Sequence, residues 1–155
     1  MNDKEYMRMA IEFAKDNVAN GGGPFGAVIV KDGQVIASCG NSVTLDNDPT
    51  AHAEVNCIRK ACKKLNTFDL SGCVLYSSCE PCPMCLSAVY CARLDRLVYA
   101  ATRKDAATAG FDDDFIYKEI PLENDKRSLK CEHIDCQTAS LPFDAWREKS
   151  DKTEY

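Results

Sequence analysis

Two short segments of this chain carry metal-binding side chains, and each stands where a helix is expected to begin. Residues 49–54 read PTAHAE, and residues 80–85 read EPCPMC. One imidazole, on His52, and two thiols, on Cys82 and Cys85, are the ligand set that zinc prefers when one of its four tetrahedral positions stays open. Because these residues are far apart in sequence, the fold has to bring two helix starts to one point.

The spacing of apolar residues predicts alternating helices and strands. Apolar side chains recur at helical spacing over residues 3–18, with Asp3 as the predicted N-cap. An Asp-Gly pair at 32–33 predicts a tight hairpin turn between two strands. The pattern predicts helices at 3–18, 51–65, 83–91 and 143–149, strands at 25–30, 35–39, 73–77 and 96–101, a loop at 103–116 and a weak strand at 131–136.

These elements together indicate an α/β domain with a mixed sheet. The strand–helix–strand over residues 73–101 implies a parallel pair joined by a crossover, whereas the hairpin before it is antiparallel. Helices are expected to cover both faces of the sheet. In such folds, ligands gather beyond the carboxyl ends of strands, where the following helices begin. Both metal-binding segments are predicted to lie at such helix starts.

Length and charge limit the partners of the chain. With 155 residues, we expect one domain spanning 1–155. A net charge of −5 argues against broad binding to nucleic acid and fits a small neutral substrate better. We expect no membrane span, because no apolar run approaches roughly 20 residues. The N-terminus does not resemble a secretory signal, so we expect a cytoplasmic location.

Ten cysteines are many for a chain of this length. Cys57, Cys62 and Cys73 stand among apolar residues at core-like positions, which favours reduced, buried thiols over a disulfide framework. Cys79 is an alternative partner for Cys82 in a metal site. We rank it below Cys85 because it precedes Pro81 and is expected to end a strand. The cysteines stand at 39, 57, 62, 73, 79, 82, 85, 91, 131 and 136.

Glu54 suggests that the metal site is catalytic. Bound zinc lowers the pKa of a water toward roughly 7, and a neighbouring carboxylate can move that proton to a substrate. In mid-helix, residues 52 and 54 would point to nearly opposite faces, but in the first turn both can reach one pocket. The pattern H-x-E…P-C-x-x-C is the signature of zinc deaminases, in which the Glu is not a ligand.

The chain resembles the cytidine deaminase superfamily and, within it, the small bacterial guanine deaminases. The stretches that carry this resemblance cover nearly the whole chain, and the last helix with Tyr155 at its end is also similar. The two zinc segments specify only the superfamily, whereas GFDD and the terminal Tyr point to guanine or guanosine. The stretches are GGPFGAVIVKDG, NDPTAHAEV, CEPCPMC and AGFDDDFIYKE.

The resemblance implies a three-layer α/β/α fold and a zinc-dependent hydrolysis that releases ammonia. It also implies a homodimer, in which the C-terminal segment at about 130–155 is exchanged between subunits. The leading hypothesis is therefore conversion of guanine to xanthine and ammonia, with Glu54 moving the protons.

Substrate contacts are implied by the same resemblance. Asn41 and Phe25 are expected to contact the base, with Asp113, Ala53 and Tyr155 in the pocket. One ionised carboxylate, on Asp113, can accept both the ring N–H and the amino donors of guanine. Asn41 can donate and accept, and Phe25 offers a face for stacking. Of the neighbouring acids, Asp112 and Asp114 are interpreted as solvated.

Cys91 departs from the family pattern, because guanine deaminases of this type often carry a bulky aromatic residue there. If Cys91 lines the pocket, the pocket is wider and has room for a guanosine ribose or another aminated ring. Substrates that remain open are therefore guanosine, cytosine and other small aminated rings.

Three further functions remain open. A tRNA adenosine deaminase is disfavoured by the acidic charge and by the lack of an evident basic tail. A non-catalytic, zinc-stabilised binding protein is disfavoured by Glu54, which a structural site does not need. A redox protein using Cys82 and Cys85 is disfavoured because His52 and Glu54 accompany them.

Overall fold

A four-stranded mixed sheet with the strand order β2-β1-β3-β4 forms the centre of the fold. The computed structural model describes residues 1–111 and 113–155, so the prediction for Asp112 lies outside the described residues. The helices are α1 (Asp3–Ala19), α2 (Val43–Asp46), α3 (Ala53–Leu65), α4 (Pro83–Cys91), α5 (Arg103–Thr108), α6 (Asp114–Glu119) and α7 (Leu141–Glu148), with a 3₁₀ turn at Asn124–Lys126. The strands are β1 (Gly23–Lys31), β2 (Gln34–Asn41), β3 (Cys73–Cys79) and β4 (Arg96–Ala101).

The predicted pairing of the strands is confirmed. β1 and β2 form an antiparallel hairpin that closes at Lys31 and Gln34. Between them, Asp32 (φ 48°) and Gly33 (φ 75°) both adopt the left-handed conformation, as a two-residue hairpin turn with Asp-Gly requires. β1 also pairs antiparallel with β3, and β3 pairs parallel with β4 across the α4 crossover.

Helices cover both faces of this sheet, so the predicted three-layer α/β/α arrangement is confirmed. On one face, α1 packs through Tyr6 and Ala10 against Val28 and Tyr76. On the other face, the side chains of α3 and α4 form a second core with the sheet. Its members include Ile29, Leu75, Cys57, Ala61 and Val89. The α3 and α4 layer is the one that carries the metal-binding segments.

The prediction that Asp3 caps α1 is wrong by one residue. The Asn2 side chain accepts the Glu5 N–H (3.1 Å), and the Glu5 carboxylate accepts the Asn2 N–H (2.6 Å), which makes a capping box. Asp3 instead accepts hydrogen bonds from Tyr76 and Arg96 on the sheet.

Two other predictions also differ from the structure. The region 103–116 contains α5 and the start of α6 rather than a continuous loop. Thr102 and Asp105 form a capping box that starts α5, a local signal that the loop prediction missed. Residues 131–136 are not a strand and are exposed, because this segment finds no strand to pair with in the part of the chain that the structure describes.

The chain divides into two compact units, Met1–Tyr117 and Lys118–Tyr155. The first unit contains the whole sheet and the metal-binding segments. In the second unit, all of which the structure describes, no side chain is buried, and α7 exposes apolar residues such as Leu141 and Phe143. None of the helices described is long and apolar enough to cross a membrane.

Candidate active site

Two helix N-termini present the metal-binding side chains. His52 is the N-cap of α3, and Cys82 is the N-cap of α4, with Pro83 as the first residue of that helix. Both N-caps have extended backbone, as is usual for this position. Pro83 suits the first helical position because it has no N–H to leave unpaired. Cys85, in the first turn of α4, then points to the same place.

The three ligand atoms have the spacing of a zinc site. His52 Nδ1 lies 3.5 Å from the Sγ atoms of both Cys82 and Cys85, and all three atoms lie within 4.8 Å of one another. A tetrahedral zinc with the usual bond lengths of about 2.05 Å to nitrogen and about 2.3 Å to sulfur separates those atoms by roughly 3.6 Å. The donor set and its spacing therefore fit zinc, with a fourth position left for water or substrate.

The electrostatics of the site favour a cation. A hydrogen bond with Cys85, together with the neighbouring His52, lowers the pKa of Cys82 to about 4, so this thiol ionises readily. The hydrogen bond with Cys82 raises the pKa of His52, and the nearby carboxylates of Glu54 and Asp113 raise it further. Cys82 and burial raise the pKa of Cys85, since two adjacent thiolates without a cation repel each other. A divalent cation would relieve that repulsion.

Glu54 lies beside the ligands and is almost fully buried. Its Oε2 accepts from Cys85 Sγ (3.3 Å), and its Oε1 lies 2.9 Å from the Ser77 hydroxyl. That hydroxyl also donates to the Cys79 carbonyl (2.7 Å), which cannot itself donate. Because Ser77 has one proton, its hydroxyl donates to one of these two acceptors at a time. Burial raises the pKa of the Glu54 carboxyl.

Cys79 ends β3 and directs its thiol away from the ligand group. Its Sγ donates to the Thr102 carbonyl (3.6 Å), and burial raises its pKa to about 11. The metal group among the described residues consists of His52, Cys82 and Cys85, and Cys79 is not a member.

A cleft opens directly over the metal group, with about 480 Å³ of empty space that includes its mouth. Phe25 and Asp113, both predicted to contact the substrate, line it together with His52 and Glu54. The Phe25 ring packs edge-on against Phe111, with ring centres 5.0 Å apart. The full lining is Phe25, His52, Glu54, Cys79, Glu80, Cys82, Arg103, Ala106, Phe111, Asp113, Asp114 and Tyr117.

The other predicted substrate residues lie outside this lining. Asn41 ends β2 almost buried, and its Oδ1 accepts the Val43 N–H (3.1 Å). Ala53 is buried at the first position of α3. Cys91 is exposed at the last position of α4, the end of that helix away from Cys82. Tyr155 belongs to the second unit, where its ring packs edge-on against Trp146. Their roles in substrate binding stay predictions.

Several residues around the site were not found from the sequence. Ser77 lies within a buried strand, and nothing in its local pattern marks it as a partner of Glu54. Arg103 falls in the region interpreted as a loop and Tyr117 directly follows that region, so neither side chain had a predicted position. The Thr102–Asp105 capping box could have placed the start of α5, and with it Arg103.

Comparison with known proteins gives one family. The family model of the cytidine and deoxycytidylate deaminase zinc-binding region matches residues 1–101. The chain is 53% identical to the guanine deaminase of Bacillus subtilis over 156 residues, 100% of both proteins. It is 41% identical to a tRNA-specific adenosine deaminase of Aquifex aeolicus over 104 residues, 67% of this chain and 69% of that protein.

Among solved structures, one guanine deaminase matches the whole chain and another matches about 70% of it. The crystal structure of the Bacillus subtilis guanine deaminase superposes with a TM-score of 0.98 at 52% identity, covering 100% of this chain and 99% of that one. The guanine deaminase from Nitrosomonas europaea gives a TM-score of 0.70 at 35% identity, covering 72% of this chain and 65% of that one.

The choice of Cys85 over Cys79 is tested by zinc content. We expect the Cys85→Ser variant to lose most of its bound zinc, because a serine hydroxyl is a much weaker zinc ligand than a thiolate. The matched Cys79→Ser variant should keep one zinc per chain. Elemental analysis of dialysed protein measures both. Equal zinc content in the two variants would contradict the assigned ligand set.

Proposed function

Because the chain belongs to the cytidine and deoxycytidylate deaminase zinc-binding family, we propose that it hydrolyses guanine to xanthine and ammonia. The full-length similarity to a guanine deaminase is the observation that carries this proposal. The similarity to the tRNA-specific adenosine deaminase covers only about two thirds of the chain. The family model also ends at residue 101, and the net charge of −5 disfavours a tRNA substrate.

Zinc, when bound by His52, Cys82 and Cys85, lowers the pKa of a water to roughly 7 and so supplies a nucleophile at neutral pH. Glu54 lies beside this position and would take one proton of that water and deliver it to the ring nitrogen next to the attacked carbon. It would then take the remaining hydroxyl proton and deliver it to the departing amine. The water oxygen replaces the amino group, and ammonia leaves.

The environment of Glu54 suits this proton transfer. Burial raises the pKa of its carboxyl, which brings the pKa closer to the pH at which the protein works. The Ser77 hydroxyl keeps Oε1 in place, while Oε2 faces the metal group. The Ser77 hydroxyl also lies 2.7 Å from the Cys79 carbonyl, which fixes its position beside Glu54. A structural metal site needs no such buried carboxylate.

The walls of the cleft support a purine ring as the substrate. Asp113 presents a carboxylate near His52, in a position to accept two adjacent N–H donors of guanine. Phe25 and Phe111 supply aromatic surface on the same cleft.

We further propose that the chain is a cytoplasmic homodimer with an exchanged C-terminal segment of about residues 130–155. The absence of buried side chains throughout the second unit supports it, because 38 residues without a core need another surface to cover their apolar side chains. Sedimentation at micromolar concentration should give twice the mass of one chain. The mass of a single chain would contradict the homodimer.

The Glu54→Gln variant tests the proton-transfer role. We expect it to keep its zinc while ammonia release from guanine falls by a factor on the order of 10²–10⁴, because an amide cannot accept the proton of the water. Zinc content and ammonia are measured on the same sample. The Glu12→Gln variant, on the exposed side of α1, serves as the control. Retained activity in Glu54→Gln would remove Glu54 from the mechanism.

The Asp113→Asn variant tests recognition of guanine. An amide presents one acceptor where the carboxylate presents two, so we expect kcat/KM for guanine to fall roughly 10- to 100-fold, mostly through KM. Steady-state kinetics checks this against Asp16→Asn, which changes an equivalent charge on α1. If kcat/KM is unchanged in Asp113→Asn, the carboxylate does not contribute to recognition of guanine.

A further inference from the structure

We propose that Arg103 and Tyr117 are positioning residues that fasten the two sides of the active-site cleft to each other. One side is the segment Glu80–Cys82, which ends at the zinc ligand Cys82. The other side begins at Asp114, directly after Asp113, which we propose binds the substrate. The inference rests on the proposed function only where it concerns substrate binding.

Arg103 holds the zinc-ligand side through Glu80. Its backbone N–H donates to Glu80 Oε2 (3.1 Å), and its Nε lies 3.4 Å from Glu80 Oε1. Both carboxylate oxygens are therefore engaged by one residue. The Glu80 N–H in turn donates to the Ala101 carbonyl (2.8 Å) at the end of β4. These contacts define the path of the chain immediately before Cys82.

Arg103 also reaches the substrate side. Its Nη1 lies 3.8 Å from Asp114 Oδ1, and its guanidinium lies 4.0 Å from the centre of the Tyr117 ring. A cation over a tyrosine face is attracted by the negative face of the ring. Asp114 and Tyr117 both belong to α6, whose start lies next to Asp113. The Arg103 guanidinium therefore contacts both α6 and Glu80.

Tyr117 closes the connection between the two sides. Its hydroxyl donates to the Pro81 carbonyl at 2.5 Å, one residue before Cys82. Burial raises the pKa of Tyr117, so the hydroxyl keeps its proton and remains a donor. Pro81 has no backbone N–H, so its carbonyl is its only main-chain group that can be held by a hydrogen bond.

The network is effective because its members share partners. An isolated, partly exposed ion pair contributes little to stability, and the Arg103 side chain is 41% exposed. Here the Arg103 guanidinium contacts one carboxylate on each side of the cleft and also the Tyr117 ring. The hydroxyl of that ring donates to the segment that leads to Cys82. Loss of either residue should therefore loosen the same segment, so their effects should not multiply independently.

The test measures how fast a chelator removes zinc from the zinc-loaded protein, together with steady-state kinetics. We expect zinc release to be about tenfold faster in Arg103→Met and about fivefold faster in Tyr117→Phe. The double variant should release zinc more slowly than the product of the two effects predicts. KM for guanine should rise in both single variants, with a smaller change in kcat, because Asp113 is held less firmly.

Arg59→Met is the matched control, because Arg59 forms an ion pair with Asp48 (3.7 Å) and does not line the cleft. Tyr117→Phe removes one oxygen atom and keeps the ring under Arg103, so it tests the connection even if Arg103→Met folds poorly. Zinc release at the wild-type rate in Tyr117→Phe, or multiplicative effects in the double variant, would overturn the inference. An equal acceleration in Arg59→Met would do the same.

The two proposals fail separately. If the wild-type protein releases no ammonia from guanine, the proposed function is wrong, but the zinc-release rates still decide whether Arg103 and Tyr117 hold the zinc-ligand segment. If guanine is deaminated and zinc release is unchanged in both single variants, the function stands and the positioning role is wrong.

Discussion

The convergence of two helix N-termini on one point is the constraint on which the rest of the site depends. α3 follows β2 and α4 follows β3 along the chain, and the two helices begin at the same place. His52 Nδ1 consequently lies 3.5 Å from both thiols. The partial positive charge of a helix N-terminus favours thiolate, so the fold and the ligand chemistry act in the same direction. With three protein ligands, one position on zinc stays open for catalysis.

Burial separates the roles of the acidic groups around this point. Glu54 is enclosed next to Ser77 and the ligands, where a raised pKa suits proton transfer. Asp113 is an exposed residue of the cleft lining, where we propose that its carboxylate accepts the N–H donors of the base. Glu80 and Asp114 have a third role, since both are partners of Arg103. Under the proposed function, these four carboxylates of one cleft serve proton transfer, recognition of the base and positioning.

The zinc ligands could be predicted from sequence because each segment obeys local rules. A helix start, a proline and the spacing of cysteines are visible in a few consecutive residues, and the bounds predicted for α4 and β4 agree with the structure. Features that depend on partners distant in sequence could not be predicted in this way. Tyr117 acquires its role only where it meets Pro81, and residues 131–136 lack the partner that a strand needs. Asn41, Cys91 and Tyr155 lie outside the cleft lining, so their contacts with the substrate stay predictions.

Ammonia release by the zinc-loaded wild-type protein, measured with guanine, guanosine, cytosine, adenine and a tRNA, is the decisive test of the substrate. The proposed function predicts stoichiometric xanthine and ammonia from guanine, with kcat/KM at least about 100-fold above that for cytosine or adenine, because those rings do not present guanine's pair of donors to Asp113. Faster ammonia release from any of the other substrates, or none from guanine while zinc is bound, would contradict it.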